Sequence, residues 1–418
     1  MHPSGLSAQA SKFMICCCRF IYTSIQSQQY NIQQDTVSAE ISIYRIFMTL
    51  KYKSSTSDSN KNIASINPQK HRYIFLDALR GIAAILVAQR HISETFGGTP
   101  FSSSYLAVDF FFVLSGFVIA HAYDNKLANG MPEKDFIWRR LVRLYPTFIL
   151  GLVLITGYDL ARLDAVNGTI LLPWGITFLF NALFLPISLL SQPFILGPAW
   201  SLFSEIIANL VYMRLASTGM TWRKALTMSL IGALLMLIFL VHFKNLDIGW
   251  FFASLGGGPA RALYSFFAGV LIYTQRGKIP SGGMATGLLC CAVLIAVLCL
   301  GVSPTVRVYY DAFAAFIALP LVVIIGVGVT LPRMFSTSCE FLGASSYPMY
   351  VLHLPLAMLS FWLFATFFEN ATPSEVSAAV WISVTLIATC GWAWGVYIDE
   401  PLRRKILRRR NSLPVRST

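Results

Sequence analysis

One apolar segment carries two residues able to do chemistry together. In Leu-Asp-Ala-Leu-Arg80-Gly-Ile-Ala-Ala-Ile-Leu-Val-Ala-Gln-Arg-His91-Ile, an arginine and a histidine stand eleven residues apart. At ~100° per residue in a helix this spacing is three turns plus about 20°, so both side chains project from one face. They are separated by roughly 16 Å along the axis. An arginine grips phosphate through its planar fork of donors. A histidine near its ordinary pKa can remove and return a proton. The face therefore offers an anion grip at one end and a base at the other. The plain alternative is an arginine that snorkels to the membrane surface and a histidine satisfied by a neighbouring carbonyl.

Other polar groups recur inside apolar runs. Arg139-Arg140-Leu-Val-Arg143-Leu-Tyr-Pro places Arg140 and Arg143 at i,i+3 on one helical face, able to close on a phosphate. An ordinary topology anchor would read the same way. Asp109, in Ala-Val-Asp-Phe-Phe-Phe, and Glu205, in Trp-Ser-Leu-Phe-Ser-Glu, are carboxylates expected at the level of His91. A carboxylate beside a histidine fixes its tautomer and stabilises the imidazolium formed in proton transfer. Glu205 is the first choice for that role, because it lies one turn inside its span; a structural hydrogen bond is the alternative. Asp109 reads as a helix N-cap or a substrate contact. Arg261 could meet an anionic substrate or pair with Glu205. His353, in Ser-Ser-Tyr-Pro-Met-Tyr-Val-Leu-His, reads either as a second polar group on the same channel or as a packing histidine. His121, His242 and Arg90 read as boundary residues.

The elements that must hold these groups are membrane helices. The 418 residues are 56% hydrophobic and 12% charged, with a mean hydropathy of +0.62. An average soluble domain carries about 25% charge, so a water-soluble enzyme and a disordered chain are both excluded. A crossing needs roughly 20 apolar residues, and the apolar stretches recur almost to the end of the chain. The expected fold is all-α, a polytopic membrane helical bundle. The net charge of +13 is not a nucleic-acid footprint, because eight Lys/Arg fall in residues 1–72 and seven in 402–418. Basic tails beside spans mark the cytoplasmic side and anionic headgroups. The eight cysteines suggest no zinc or disulfide framework; most read as small apolar side chains, and no metal is expected.

Three regions follow: a polar N-terminal extension over 1–72, a membrane domain over 73–400 and a basic cytoplasmic tail over 401–418. Eleven apolar stretches lie between 74 and 398. Eleven crossings would put the basic tails on opposite faces. The segment 170–190 begins with Leu-Leu-Pro-Trp-Gly and contains Asn181 and Pro186, which predicts a broken or re-entrant path. Ten crossings then remain, with both termini inside. Inner loops and tails collect 26 Lys/Arg, whereas the outer loops collect Arg162, Lys244 and Arg307, as the positive-inside bias requires. An inner (plasma) membrane is the expected site.

Together these residues resemble acyltransferase family 3, the membrane acyltransferases of surface glycans and secreted small molecules. Arg80-x10-His91 after Leu76-Asp77 is similar to the family's first-span signature. Phe111-Phe-Val-Leu-Ser-Gly-Phe117 and Arg140-x-x-Arg143-Leu-Tyr-Pro are similar to its second- and third-span segments. Trp200-Ser-Leu-x-x-Glu205, Arg261 with Gly269, Ser346-Tyr347 through His353-x-Pro355, and Glu400-Pro-Leu-Arg-Arg404 follow in family order. Departures are Ala107-Val108-Asp109 where Gly is frequent before Phe-Phe, Phe-Ser before Glu205, and Ala78. The resemblance implies transfer of an acyl group, often acetyl, from cytoplasmic acyl-CoA to a hydroxyl on a glycan or other acceptor. It assigns acyl-CoA contacts to Arg80, Arg140 and Arg143, and catalysis to His91, here with Glu205 as the orienting carboxylate. The rival class is a transporter or glycan exporter, in which intramembrane His and Arg form a proton relay and a counter-ion.

Overall fold

The computed structural model describes residues 73–98, 100–162, 171–368 and 370–411. The expected N-terminal extension and the last residues of the basic tail lie outside the described residues. Within them the chain is all helical, with an isolated bridge between Gly282 and Val329 and no β-strand. The helices are α1 (Ile74–Phe96), α2 (Ala107–Ala128), α3 (Glu133–Arg162), α4 (Leu171–Ala182), α5 (Ala199–Ala216) and α6 (Trp222–Phe243). They continue with α7 (Gly257–Thr274), α8 (Met284–Cys299), α9 (Arg307–Gly328), α10 (Ser336–Phe367), α11 (Pro373–Trp394) and α12 (Glu400–Asn411). A π turn, Ala314–Ala318, interrupts α9, and another, Gly395–Asp399, joins α11 to α12.

Among the described residues, α2, α3, α6, α9, α10 and α11 are long and apolar enough to cross a membrane. The remaining expected crossings, α1, α5, α7 and α8, are present as helices. α1 carries Asp77, Arg80, Arg90 and Glu94, and α8 has only 16 residues. Leu230, Leu234 and Ile238 on α6 and Ile382 and Leu386 on α11 remain exposed. Such a stripe would be a liability in water and is at home against hydrocarbon. The protein is an integral membrane protein.

The 170–190 segment is broken, as its residues predict. α4 has 12 residues, a rise of about 18 Å against roughly 30 Å of hydrocarbon. The chain then turns at Phe184, whose φ is 59°. Irregular backbone away from water needs internal partners, and two buried side chains of α4 supply them. Asn181 Nδ2 donates to the carbonyls of Leu185 (3.2 Å) and Pro193 (3.1 Å), and its Oδ1 accepts from Ile195 N at 2.7 Å. Thr177 Oγ1 accepts from Leu189 N at 3.0 Å.

Two helix pairs position the candidate residues. α1 packs most extensively on α10, running in the same direction: Arg80 meets Gly343 and Ser346, and His91 meets His353. The approach is close enough that a Cβ on Gly81 would stand 2.5 Å from Leu342 Cβ. α2 and α7 likewise pack backbone to backbone. A Cβ on Gly116 would fall 1.8 Å from Phe266 O, and one on Gly269 1.9 Å from Val113 O. Small residues at such crossings let membrane helices approach and gain dispersion contacts that lipid would otherwise take.

Candidate active site

The α1–α10 seam holds both ends of the predicted face. Arg80 Nε donates to Ser346 Oγ and its Nη2 to Gly343 O, each at 2.8 Å; Nη2 also lies 3.0 Å from Asp77 Oδ1. Three turns further along, His91 Nδ1 is 3.1 Å from Glu94 Oε2. A carboxylate only accepts, so Nδ1 carries the proton and Nε2 holds the lone pair. Glu94 Oε1 accepts from Arg90 Nε at 2.8 Å, and Arg90 Nη2 reaches Asp247 Oδ2 at 2.7 Å. The result is a linked row, Asp247–Arg90–Glu94–His91, in which Arg90 bridges two carboxylates and the second of them faces the imidazole.

His353 completes this end. Its ring stacks on that of His91, with centroids 5.1 Å apart and an interplanar angle of 25°. His353 is 1% exposed. Its Nδ1 lies 2.8 Å from Tyr350 O. The carbonyl can only accept, which leaves Nε2 as an acceptor, and this buried atom has no protein partner. The same cavity as His91 is what it faces.

Three cavities adjoin along the seam. The first, about 1240 Å³, is lined by Arg80, Arg139, Arg143, Arg403 and Arg404 together with Asp399 and Glu400 of the second π turn and its continuation. Arg403 pairs with Asp399 at 2.9 Å and Arg404 with Glu400, while Arg139 and Arg143 have no ion pair among the described residues. The second, about 780 Å³, is bounded by Arg80, Arg140, Arg143, Ser115, Ser201, Glu205 and the apolar Val108, Phe111 and Phe112. The third, about 930 Å³, contains His91, Glu94, Arg90, Asp247, His353, Trp200 and Trp250. Arg80, Arg143 and Tyr347 are walls of both the first and second. Val108 and Tyr350 are walls of both the second and third. Arg80 and His91 therefore face neighbouring chambers separated by one layer of side chains.

Several expected pairings are different. Glu205 does not orient His91. Its Oε1 accepts from Arg140 Nη2 at 2.7 Å and Ser115 Oγ at 2.5 Å, because α3 and α2 present those donors to α5. Arg140 and Arg143 do not form one clasp. Arg140 is 8% exposed and neutralised by Glu205, whereas Arg143 is exposed toward the first two cavities. Arg261 meets neither Glu205 nor an open cavity. Its Nε and Nη2 donate to Asp109 Oδ1 (3.1 Å) and Oδ2 (2.7 Å), and its remaining contacts are the carbonyls of Ile248 and Tyr105. Both partners are fully buried. Asp109 is thus not a helix N-cap but half of a two-pronged bridge between α2 and α7. Arg261 touches the third cavity only indirectly, lying 5.2 Å from the centroid of the Trp200 ring. Among the described residues no cluster of three or more His, Cys, Asp or Glu is arranged to hold a metal ion.

Sequence reasoning missed Glu94, Arg90 and Asp247. The first two had a local signal, since Arg90 and Glu94 are an i,i+4 pair and His91 and Glu94 an i,i+3 pair. Asp247 arrives from the α6–α7 connection, which no periodicity marks.

Comparison with known proteins agrees with this architecture. Residues 73–398 match the family model described as "Acyltransferase domain", and the chain belongs to acyltransferase family 3. It is 37% identical over 188 residues to "Protein 2 in picA locus" of Rhizobium radiobacter, covering 40% of this chain and 93% of that protein. It is 27% identical over 385 residues to a "Putative peptidoglycan O-acetyltransferase" of Bacillus subtilis (strain 168). That match covers 81% of this chain, which spans 56% of the Bacillus protein's length. No solved structure gives a significant match.

Proposed function

We propose that this acyltransferase moves an acyl group, in the first instance acetyl, from acyl-CoA to a hydroxyl of a sugar at the cell surface or on a lipid carrier. The observation that carries the reading is the succession of adjoining cavities, from an arginine-rich mouth to the His91–Glu94 pair. The mouth suits the phosphates of a nucleotide donor, with Arg143 and Arg139 as the available forks. Arg80 lines the same path and holds α1 to α10. The largely apolar second cavity suits a pantetheine arm. The mouth faces the cytoplasm, where acyl-CoA is made, in the ten-crossing arrangement with both termini inside.

In the third cavity His91 Nε2 takes the proton of the acceptor hydroxyl while Glu94 stabilises the imidazolium. The hydroxyl oxygen bonds to the thioester carbonyl carbon, the C–S bond breaks, and the thiolate leaves toward the mouth and recovers the proton. Trp200 and Trp250 beside Glu94 and Asp247 give the cavity the aromatic faces and acceptors that hold sugars. The Bacillus relative, named as a putative peptidoglycan O-acetyltransferase, supports a sugar acceptor.

The test is a membrane preparation from an expressing host given acetyl-CoA labelled in the acetyl group. Label that enters polysaccharide and is released by mild base, with one CoA freed per acetyl, is expected. Solute movement without CoA release would instead support the transporter reading.

A further inference from the structure

The two chambers meet where a thioester from one side and a hydroxyl from the other must react. Acyl transfer at that point develops negative charge on the thioester carbonyl oxygen, and a preorganised donor there supplies a large share of catalysis. Of the two side chains common to both chambers, Val108 is apolar and Tyr350 carries a hydroxyl. Arg140 pairs with Glu205 and Arg261 with Asp109, and neither lines the third chamber. His353 offers only a lone pair to the chamber.

We propose that the Tyr350 hydroxyl is the oxyanion donor of this enzyme and that Ser201 polarises it. This rests on the acyl-transfer reading above. Tyr350 is 9% exposed, and its ring is held edge-on by Phe111 with centroids 5.4 Å apart. Its Oη lies 2.7 Å from Ser201 Oγ, which lines the chamber on the arginine side. The thioester approaches from that side. Ser201 Oγ also stands 2.8 Å from Pro198 O. In the resting site Ser201 spends its proton on that carbonyl, and Tyr350 donates to Ser201.

When a thioester oxygen arrives, the Tyr350 O–H turns to it and Ser201 donates to Tyr350 Oη. Pro198 O keeps the Ser201 backbone N–H at 3.2 Å, so no carbonyl is abandoned. The carbonyl π pair moves onto oxygen as the C–O bond forms, and returns as the C–S bond breaks. Tyr350 keeps its proton throughout; the acceptor's proton travels by way of His91 to the thiolate. Tyr350 also holds the Nδ1 proton of His353 on its carbonyl, which links the donor to the base-bearing end of the chamber.

The test uses the full chain in membranes with acetyl-labelled acetyl-CoA and the host polysaccharide. Tyr350→Phe keeps the ring and the backbone carbonyl and removes only the hydroxyl. Its maximal transfer rate should fall about 10²–10³-fold, the usual loss for one oxyanion donor. The acetyl-CoA concentration giving half-maximal rate should be unchanged. Ser201→Ala should lower the rate in the same direction and by less. An unchanged rate in Tyr350→Phe, or a loss confined to acetyl-CoA affinity, would overturn the assignment while leaving acyl transfer intact. Absence of transfer by the wild type would instead remove the acyl-transfer reading, and this inference with it.

Discussion

The imidazoles of His91 and His353 lie nearly parallel with their centroids 5.1 Å apart, although 262 positions of sequence separate them. One ring is backed by a carboxylate and is 36% exposed at its side chain; the other is backed by a carbonyl and is buried. The difference assigns the labour. A carboxylate stabilises an imidazolium, whereas a carbonyl only fixes a tautomer. On the proposed reading His91 is the base, and His353 is a hydrogen-bond acceptor for an incoming group.

His91→Ala should reduce label transfer by about 10²–10⁴-fold, the usual worth of a general base. The variant should remain in the membrane fraction and keep its affinity for acetyl-CoA. Transfer at the wild-type rate would remove His91 from the reaction.

Glu94→Gln and Glu205→Gln separate the two carboxylates. The first should slow transfer by at least roughly tenfold, because the amide cannot stabilise His91 when it is charged. Heat stability should be nearly unchanged, since Glu94 is half-exposed. The second should lower stability, because it leaves the Arg140 guanidinium buried without its counter-charge. Thermal unfolding in detergent and initial rates, measured on both variants, decide the assignment.

Arg143 carries the largest expected effect on the donor. Arg143→Ala should raise the acetyl-CoA concentration for half-maximal rate about 10–100-fold, the loss of one or two charge-assisted hydrogen bonds. Arg143→Lys should recover only part of that, since an ammonium lacks the fork. Full recovery by Lys would reduce Arg143 to a topology anchor.

Asp109→Asn should destabilise the bundle by about 3–5 kcal/mol, because Arg261 would stay buried with its charge unmatched. The double replacement Asp109→Leu with Arg261→Met should recover much of the loss, as paired removal of buried charge often does. A melting temperature for the double variant below both single variants would show that the pair does more than neutralise itself.

The all-helical membrane fold was legible because hydropathy and span length are properties of single segments. So was the break in α4, because Pro, Gly and Asn181 act locally. The shared face of Arg80 and His91 followed from 3.6-residue periodicity alone, and both do lie on the α1–α10 seam. What failed was partner choice. Depth pairs Glu205 with His91, yet Arg140 and Ser115 reach it first because of how α2, α3 and α5 are arranged around one another. Depth orders groups along the membrane normal and says nothing of the angle at which each helix presents them. Glu94 is the opposite case: its partnership with His91 is one turn away on the same helix, and only the local i,i+3 spacing marks it.

The parallel seam between α1 and α10 has a consequence for biogenesis. Arg80 is made more than 260 residues before Gly343 and Ser346 exist. Through most of translation Arg80 thus lacks the carbonyl and hydroxyl that later hold it, with Asp77 at hand in its own helix. The α1–α10 seam can assemble only once nearly the whole domain has been made, so a stalled or shortened chain yields a helix still carrying charge and no candidate site.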